Sequence, residues 1–301
     1  AYGVLRVPAA RKIPLLYVFH ASAAAEIRYE GLSRRSLSKW NEWMLRPVYV
    51  RWTAWIERSV LRRAKAVAVF SHFSAKLLTD LYSRSVKGKI VTRLAMGVDM
   101  NRFSVVKSKS AVRKKLDIDN NKLVFLSVRR LVPRTGVHVL IESFRIAYDR
   151  LGEDIELIIV GEGRERQRLE HLANSIGLRK VVRFVGRSSD DQLPLWYQAA
   201  DVHVIPTVAY EGFGVSTIES MSSGVPVIGV PTGAIPEVLL SFDERLLADA
   251  AKPLPLAERL VWFAEEGVAD NWQDKCRAFV RRFYSWSKHT AQVEEILKEI
   301  K

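Results

Sequence analysis

From residue 123 onward, short continuous apolar runs alternate with longer stretches whose apolar residues recur every three or four positions. LVFLSV (123–128), IELIIV (155–160), VVRFV (181–185) and the run at Val202, Val204 and Ile205, closed by Pro206, read as buried strands. Segments 136–150, 164–176 and 191–199 read as amphipathic helices between them. A further helix starts near Val215 and stops at Gly224, and 225–230 is the next strand. After 253 come two helices and then FYSWSKHTAQVEEILKEIK, an amphipathic terminal helix. Apolar strands alternating with helices predict an α/β fold, a parallel sheet covered by helices on both faces. Ligands of such sheets sit beyond the carboxyl ends of the strands, which is where Arg130, Gly161, Arg187 and Glu211 fall.

The first third of the chain follows the same rhythm less regularly. KIPLLYVFH (12–20) reads as a strand ending at His20, 64–82 as a strand, a Ser-rich turn and a helix, and 89–99 as another strand. Between 33 and 65, Trp40, Trp43, Trp52 and Trp55 are interleaved with arginines and lysines, and Trp52, Trp55, Ile56, Val60 and Leu61 recur at helical spacing. The tryptophans are expected in the core of a domain helix, and the arginines on a face suited to anionic lipid. The polar, basic stretch 104–121 is the expected domain boundary.

Composition adds three bounds. A chain of 301 residues suits two domains, each able to bury a core. No run of 18 or more apolar residues offers a membrane-spanning helix, and no secretory leader is read at the first residues. The single Cys276, expected buried, excludes an internal disulfide and suits a reducing cytoplasm. The net charge of +14 is unevenly spread: residues 1–120 hold 24 Lys+Arg against 8 Asp+Glu, so the rest of the chain is nearly balanced. That asymmetry predicts attraction of the N-terminal part to an anionic surface, with peripheral placement at the inner face of the membrane. Nucleic acid is not expected, because no reader motif accompanies the charge.

The chemistry concentrates in DVHVIPTVAYEGFGVSTIESMSSGVPVIGVPTGAIPEV, residues 201–238. Strand, glycine-containing loop, helix and strand form a βαβ unit whose loop empties onto a helix N-terminus, where exposed N–H groups and the helix dipole favour a phosphate. Glu211 stands just before the glycines and Glu219 eight positions later, on the second turn of the helix. An ordinary βαβ turn with two solvated glutamates would share that spacing. With EGFG and the downstream GVPVIGVPTGAIPEV, the stretch closely resembles the signature of retaining glycosyltransferases of family 4, which have the GT-B fold of two Rossmann-like domains.

The resemblance implies a transfer from a nucleotide sugar, UDP- or GDP-linked, to a glycan or lipid-linked acceptor with retention of anomeric configuration. It assigns sugar hydroxyls to Glu211, the ribose to Glu219, and the diphosphate to Phe213, Gly214 and Val215, with Gly161, Arg187 and Gly212 completing the donor site. His20 is similar to the family's histidine at the end of a central N-terminal strand, although a structural histidine would fit the same place. Within VRRLVPRTG, Arg130 matches the arginine of the family's "GRL…KG" segment, whereas Thr135 stands where that segment has lysine. Arg134 is the expected substitute, since a guanidinium pairs well with phosphate oxygens. The implied layout is an incomplete N-terminal domain over 1–116, a nucleotide-sugar domain over 117–284, and a terminal helix over 285–301 that crosses back. The expected catalytic set is therefore His20, Arg130, Arg134 and Glu211.

Two motifs are set aside. Asp117 and Asp119 mimic a metal-binding DxD but precede a strand, where a turn or cap is ordinary. Gly161-Glu162-Gly163 lacks the third glycine of a dinucleotide loop. No metal or other cofactor is expected. A non-catalytic nucleotide-binding or membrane scaffold, and a nucleotide-sugar epimerase of the same fold, stay open as alternatives.

Overall fold

The computed structural model describes Gly3, residues 13–31 and residues 39–301. Packing divides the chain into two compact units, Ala1–Met96 with Trp286–Lys301, and Gly97–Ser285. The first unit runs β1 (Leu16–Val18), α1 (Ala23–Glu30), α2 (Lys39–Arg63), β2 (Ala66–Val69), α3 (His72–Val86) and β3 (Ile90–Arg93). Its strands form a parallel sheet in the order β1-β2-β3. Phe19, Leu61, Ala64, Val67, Val69, Leu78 and Tyr82 make the core. Ser22 and Ser71 start α1 and α3 by accepting from the amides of Ala25 and Ser74, satisfying donors that a helix N-terminus leaves open.

α2 corrects one expectation. Val60 and Leu61 are buried, but Trp52 and Trp55 are 54% and 50% exposed. They continue a stripe with Met44 and Val48, at spacings of four, four and three that place all four side chains on one helix face. The core takes the opposite face, where Glu57 is buried and accepts from Ser22 Oγ, from the Ala23 amide and from Tyr82 Oη. The side chains of Trp40 and Trp43, and Arg34 and Arg35, lie outside the described ones.

The second unit contains α4 (Lys109–Lys115), β4 (Leu123–Val128), α5 (Val137–Leu151), β5 (Ile155–Val160), α6 (Arg166–Ser175), β6 (Val182–Gly186), α7 (Leu193–Ala199), β7 (Val202–Ile205), α8 (Val215–Ser222), β8 (Val227–Gly229), α9 (Ile235–Phe242), α10 (Pro253–Glu265) and α11 (Trp272–Phe283). Its start at Gly97 lies ahead of the polar boundary stretch. Arg113 shows why that stretch packs here: it is buried, donates from Nε to the Ala199 carbonyl at 2.9 Å and pairs with Asp201 at 2.6 Å. α12 (Trp286–Glu299) belongs to the first unit, where Gln292 Oε1 accepts from the Ala95 amide at 2.7 Å.

The five strands are parallel in the order β6-β5-β4-β7-β8. The helices fall into two sets, α5 packing on α6 and α10, and α8 on α7 and α11. Every residue of β7 is buried, as are four of six in β4 and five of six in β5, so their unbroken apolar runs follow from cover on both faces. The order of connection reverses between β4 and β7. Loops leaving these two strands at their carboxyl ends therefore part to opposite sides and open a crevice, the usual ligand position in such sheets.

Candidate functional site

The two loops at this switch point are tied together through buried charge. Arg129 leaves the end of β4 with its side chain 8% exposed, and its Nη2 donates to Glu211 Oε2 and to Thr207 Oγ1 in the loop after β7. Thr207 also donates to Glu211 Oε2 at 2.9 Å. Burial alone would raise the Glu211 pKa, but Arg129, the Thr207 hydroxyl and the nearby charge of Arg134 together hold it below the ordinary carboxylate value. Glu211 is therefore ionised at neutral pH.

The backbone around Glu211 is pinned from three sides. Tyr210 holds a left-handed φ of 54°, a conformation that costs a non-glycine residue of order 1–3 kcal/mol unless its surroundings impose it. Arg134 imposes it. Its carbonyl accepts from the amides of Val208 and Ala209 (2.9 and 3.3 Å), and its Nη1 donates to the Tyr210 carbonyl at 3.3 Å. Beyond β8, the Ala234 amide donates to the Glu211 carbonyl at 2.9 Å. Gly233 makes that approach possible: a Cβ there would lie 2.2 Å from the Glu211 carbonyl oxygen. Thr135, standing where lysine was sought, is buried and donates to its own loop, 2.7 Å from the carbonyls of both Arg130 and Val132.

Past Glu211 and Gly212 the chain enters α8. Gly214, with φ 81°, is the N-cap, and no side chain caps the first amides. Phe213 is buried edge-on to Tyr284 at 5.4 Å, which leaves its backbone rather than its ring to face a ligand. Val215, the first helical residue, is 43% exposed. Glu219 lies one turn on and accepts from Tyr197 Oη at 2.9 Å. Burial raises the Glu219 pKa, the tyrosine hydrogen bond and the charge of Arg102 opposing it only in part. Tyr197 is fully buried, and burial followed by the Glu219 charge pushes its own pKa well up, so it stays a donor.

The remaining candidates lie on other elements. Gly161 follows β5, and a Cβ on it would come within 1.8 Å of the Arg129 carbonyl, so it sets how closely the loops after β4 and β5 pass. Arg130 and Arg187 are exposed after β4 and β6. His20 follows β1 in the first unit, its ring 4.9 Å from Phe70, and this apolar shelter lowers its pKa.

Sequence reasoning passed over Arg129, Thr207, Tyr197 and His203. A signal existed for the first. Adjacent residues on a strand end point to opposite sides, so of the pair Arg129 and Arg130 one had to turn inward. His203, on fully buried β7, is 3.3 Å from the Val128 amide at Nε2; desolvation, then the charge of Arg129, depress its pKa to about 3 and keep it neutral.

The sequence model of a family described as "Glycosyl transferases group 1" matches residues 108–283. An uncharacterized glycosyltransferase of Methanocaldococcus jannaschii is 30% identical over 196 residues, covering 62% of this chain and 48% of that protein. A GDP-mannose-dependent monoacylated alpha-(1-6)-phosphatidylinositol monomannoside mannosyltransferase of Corynebacterium glutamicum is 28% identical over 251 residues, 80% of this chain and 65% of the relative. The chain thus spans about half to two thirds of the length of the curated relatives it matches. Among solved structures, Anabaena HepE in complex with UDP-glucose superposes with a TM-score of 0.76 at 21% identity, covering 99% of this chain and 75% of HepE, a likeness of fold.

Proposed function

The chain belongs to the glycosyl transferases of group 1, and on that premise we propose that it moves a hexose from a UDP- or GDP-sugar to a glycan or lipid-linked acceptor with retention of anomeric configuration. One observation carries the reading. A buried carboxylate, Glu211, and a half-buried one, Glu219, each held by side-chain donors, flank the uncapped N-terminus of α8 at the topological switch point. Glu211 addresses donor hydroxyls, Glu219 the ribose diol, and the amides at Gly214 and Val215 the diphosphate, helped by the helix dipole. Gly161 shapes the loop beside them, Arg187 is assigned to the base, and His20, in the first unit, to the sugar and acceptor.

The chemistry asked of these groups is chiefly electrostatic. The acceptor oxygen bonds to the anomeric carbon on the face from which the phosphate leaves, as the carbon–oxygen bond to that phosphate breaks. The acceptor's proton passes to the departing phosphate oxygen, and the charge that remains on the diphosphate is met by α8 amides and by the cations Arg130 and Arg134. The test is a thermal-shift screen of UDP, GDP and ADP with their sugars, followed by donor hydrolysis. A clear shift with one base and slow hydrolysis are expected. Binding without any hydrolysis or transfer would support a scaffold, and no shift at all would remove the reading.

A lipid-linked acceptor is favoured by the exposed face of α2. Met44, Val48, Trp52 and Trp55 form its apolar stripe, and Arg51, Arg58 and Arg62 are exposed on the same helix. Among its described side chains the one acid, Glu57, is turned inward. Apolar residues with cations, and no exposed acid among the described side chains, fit an anionic bilayer surface, where each cation gains about 1 kcal/mol. Vesicle co-sedimentation should show binding to anionic but not neutral lipid, falling as salt rises. Equal binding to both lipids, or none at low salt, would contradict this placement.

A further inference from the structure

We propose that Arg129 is the positioning residue of the donor site, locking Glu211 with one carboxylate oxygen occupied and the other turned to the sugar. The inference rests on the nucleotide-sugar reading above and adds a residue to it. Both donors that reach Glu211, Arg129 Nη2 and Thr207 Oγ1, converge on Oε2. The Glu211 backbone is fixed independently by Ala234, so what is left free is rotation about the bonds of its side chain, and the guanidinium restrains it. Charge-assisted hydrogen bonds between buried partners are short and directional, which suits orientation of a carboxylate better than a lone hydroxyl would.

The neighbouring cations have other duties. Arg134 straps the 208–210 segment through its carbonyl and Nη1, and Arg130 is exposed. Thr135, the other side chain at this turn, is occupied with its own loop carbonyls. The charges acting on Glu211 are therefore Arg129 from the end of β4 and Arg134 from the turn before α5; the loops after β7 and β8 contribute the Thr207 hydroxyl and the Ala234 amide. Arg129 is the nearer cation and the one that donates directly. Its Nε, also buried, has no hydrogen-bond partner among the described residues, and the hydrogen bonds of its Nη2 go to Glu211 and Thr207.

A residue that aims Glu211 serves the sugar, whereas a residue that grips the diphosphate serves every nucleotide. Calorimetry of Arg129→Met with UDP, UDP-glucose, GDP and GDP-mannose separates the two. For whichever base binds, the advantage of the sugar nucleotide over the bare diphosphate should fall by about tenfold or more, with the diphosphate itself little changed. Arg129→Lys should recover part of the advantage, because it keeps the charge and loses the fork. An equal fall for both ligands would make Arg129 a phosphate ligand, and an unchanged ratio would make it merely structural; either overturns the proposal.

A second measurement needs no ligand. The carboxyl ¹³C shift of Glu211 should titrate at a lower pH in the wild type than in Arg129→Met, and Arg129→Met/Glu211→Gln serves as the folded control. Should Arg129→Met fail to fold, Arg129→Lys carries both measurements in smaller amplitude. A wild-type protein that binds none of the four ligands contradicts the transferase reading, and the Glu211 titration then still decides whether Arg129 governs this carboxylate. An unmoved titration overturns that control as well.

Discussion

Glu211, buried, and Glu219, half-buried, stand on either side of the start of α8, and their surroundings treat their charge in opposite ways. Glu211 meets a buried guanidinium, a hydroxyl and a second cation, and its pKa is held down. Glu219 meets a neutral phenol, and burial pushes its pKa up. The contrast matches what each would be asked to do. A carboxylate kept ionised by a fixed partner has one geometry and one state, as orientation of a sugar hydroxyl requires. A carboxylate held by Tyr197 alone retains charge that only a ligand's hydroxyls would fully satisfy, and a ribose diol supplies two.

Breaking the comparison at its charged side should have the largest effect. Arg129→Met leaves Glu211 buried without its main cation and should cost about 3–5 kcal/mol of stability, measured by denaturant unfolding. The double variant Arg129→Met/Glu211→Gln should recover a large part, because the uncompensated charge is gone. A double variant no more stable than Arg129→Met would show that Arg129 stabilises the unit through packing rather than through Glu211.

The phenol side should give less. Tyr197→Phe removes one hydrogen bond to Glu219 and should weaken nucleotide binding by about 1–2 kcal/mol, with little change in the advantage of a sugar nucleotide over its diphosphate. A loss confined to the sugar nucleotide would exchange the roles assigned to the two glutamates. The same substitution should raise the Glu219 pKa further, moving the acid limb of nucleotide binding to higher pH.

The smallest effect is the pH dependence of stability, and its sign differs between the two groups. Glu211, depressed in the folded state, contributes stability that is present above the unfolded value of about 4.3 and lost as pH falls through its folded pKa. Glu219, raised in the folded state, lowers stability as pH climbs from about 4.3 through its folded pKa. Glu219→Gln should flatten the upper part of the stability–pH curve, and Glu211→Gln the lower part. Identical changes in both variants would erase the contrast.

The second unit was legible almost element by element, because strands covered on both faces must read as unbroken apolar runs and their helices as amphipathic ones. Glu211, Gly214, Val215 and Glu219 were legible through the βαβ grammar that places them at a helix start. The pairing of Arg129 with Glu211 was not, because the two are 82 residues apart and only the sheet order brings their loops together. Trp52 and Trp55 misled for a different reason. Helical spacing states that residues share a face but not which face the core takes, and here Glu57, Val60 and Leu61 took it. The strand expected over 12–20 pairs only at Leu16–Val18; Pro14 has no N–H to give to the sheet.

The central claim is that the start of α8 and its two glutamates hold a nucleotide sugar. Titration calorimetry of UDP-glucose and GDP-mannose against the wild type and Glu219→Ala, both shown folded by circular dichroism, tests it most directly. The account predicts saturable binding of at least one ligand by the wild type and a loss of about 2–4 kcal/mol, roughly 30- to 1000-fold, in the variant. A folded Glu219→Ala protein that binds with wild-type affinity would contradict it.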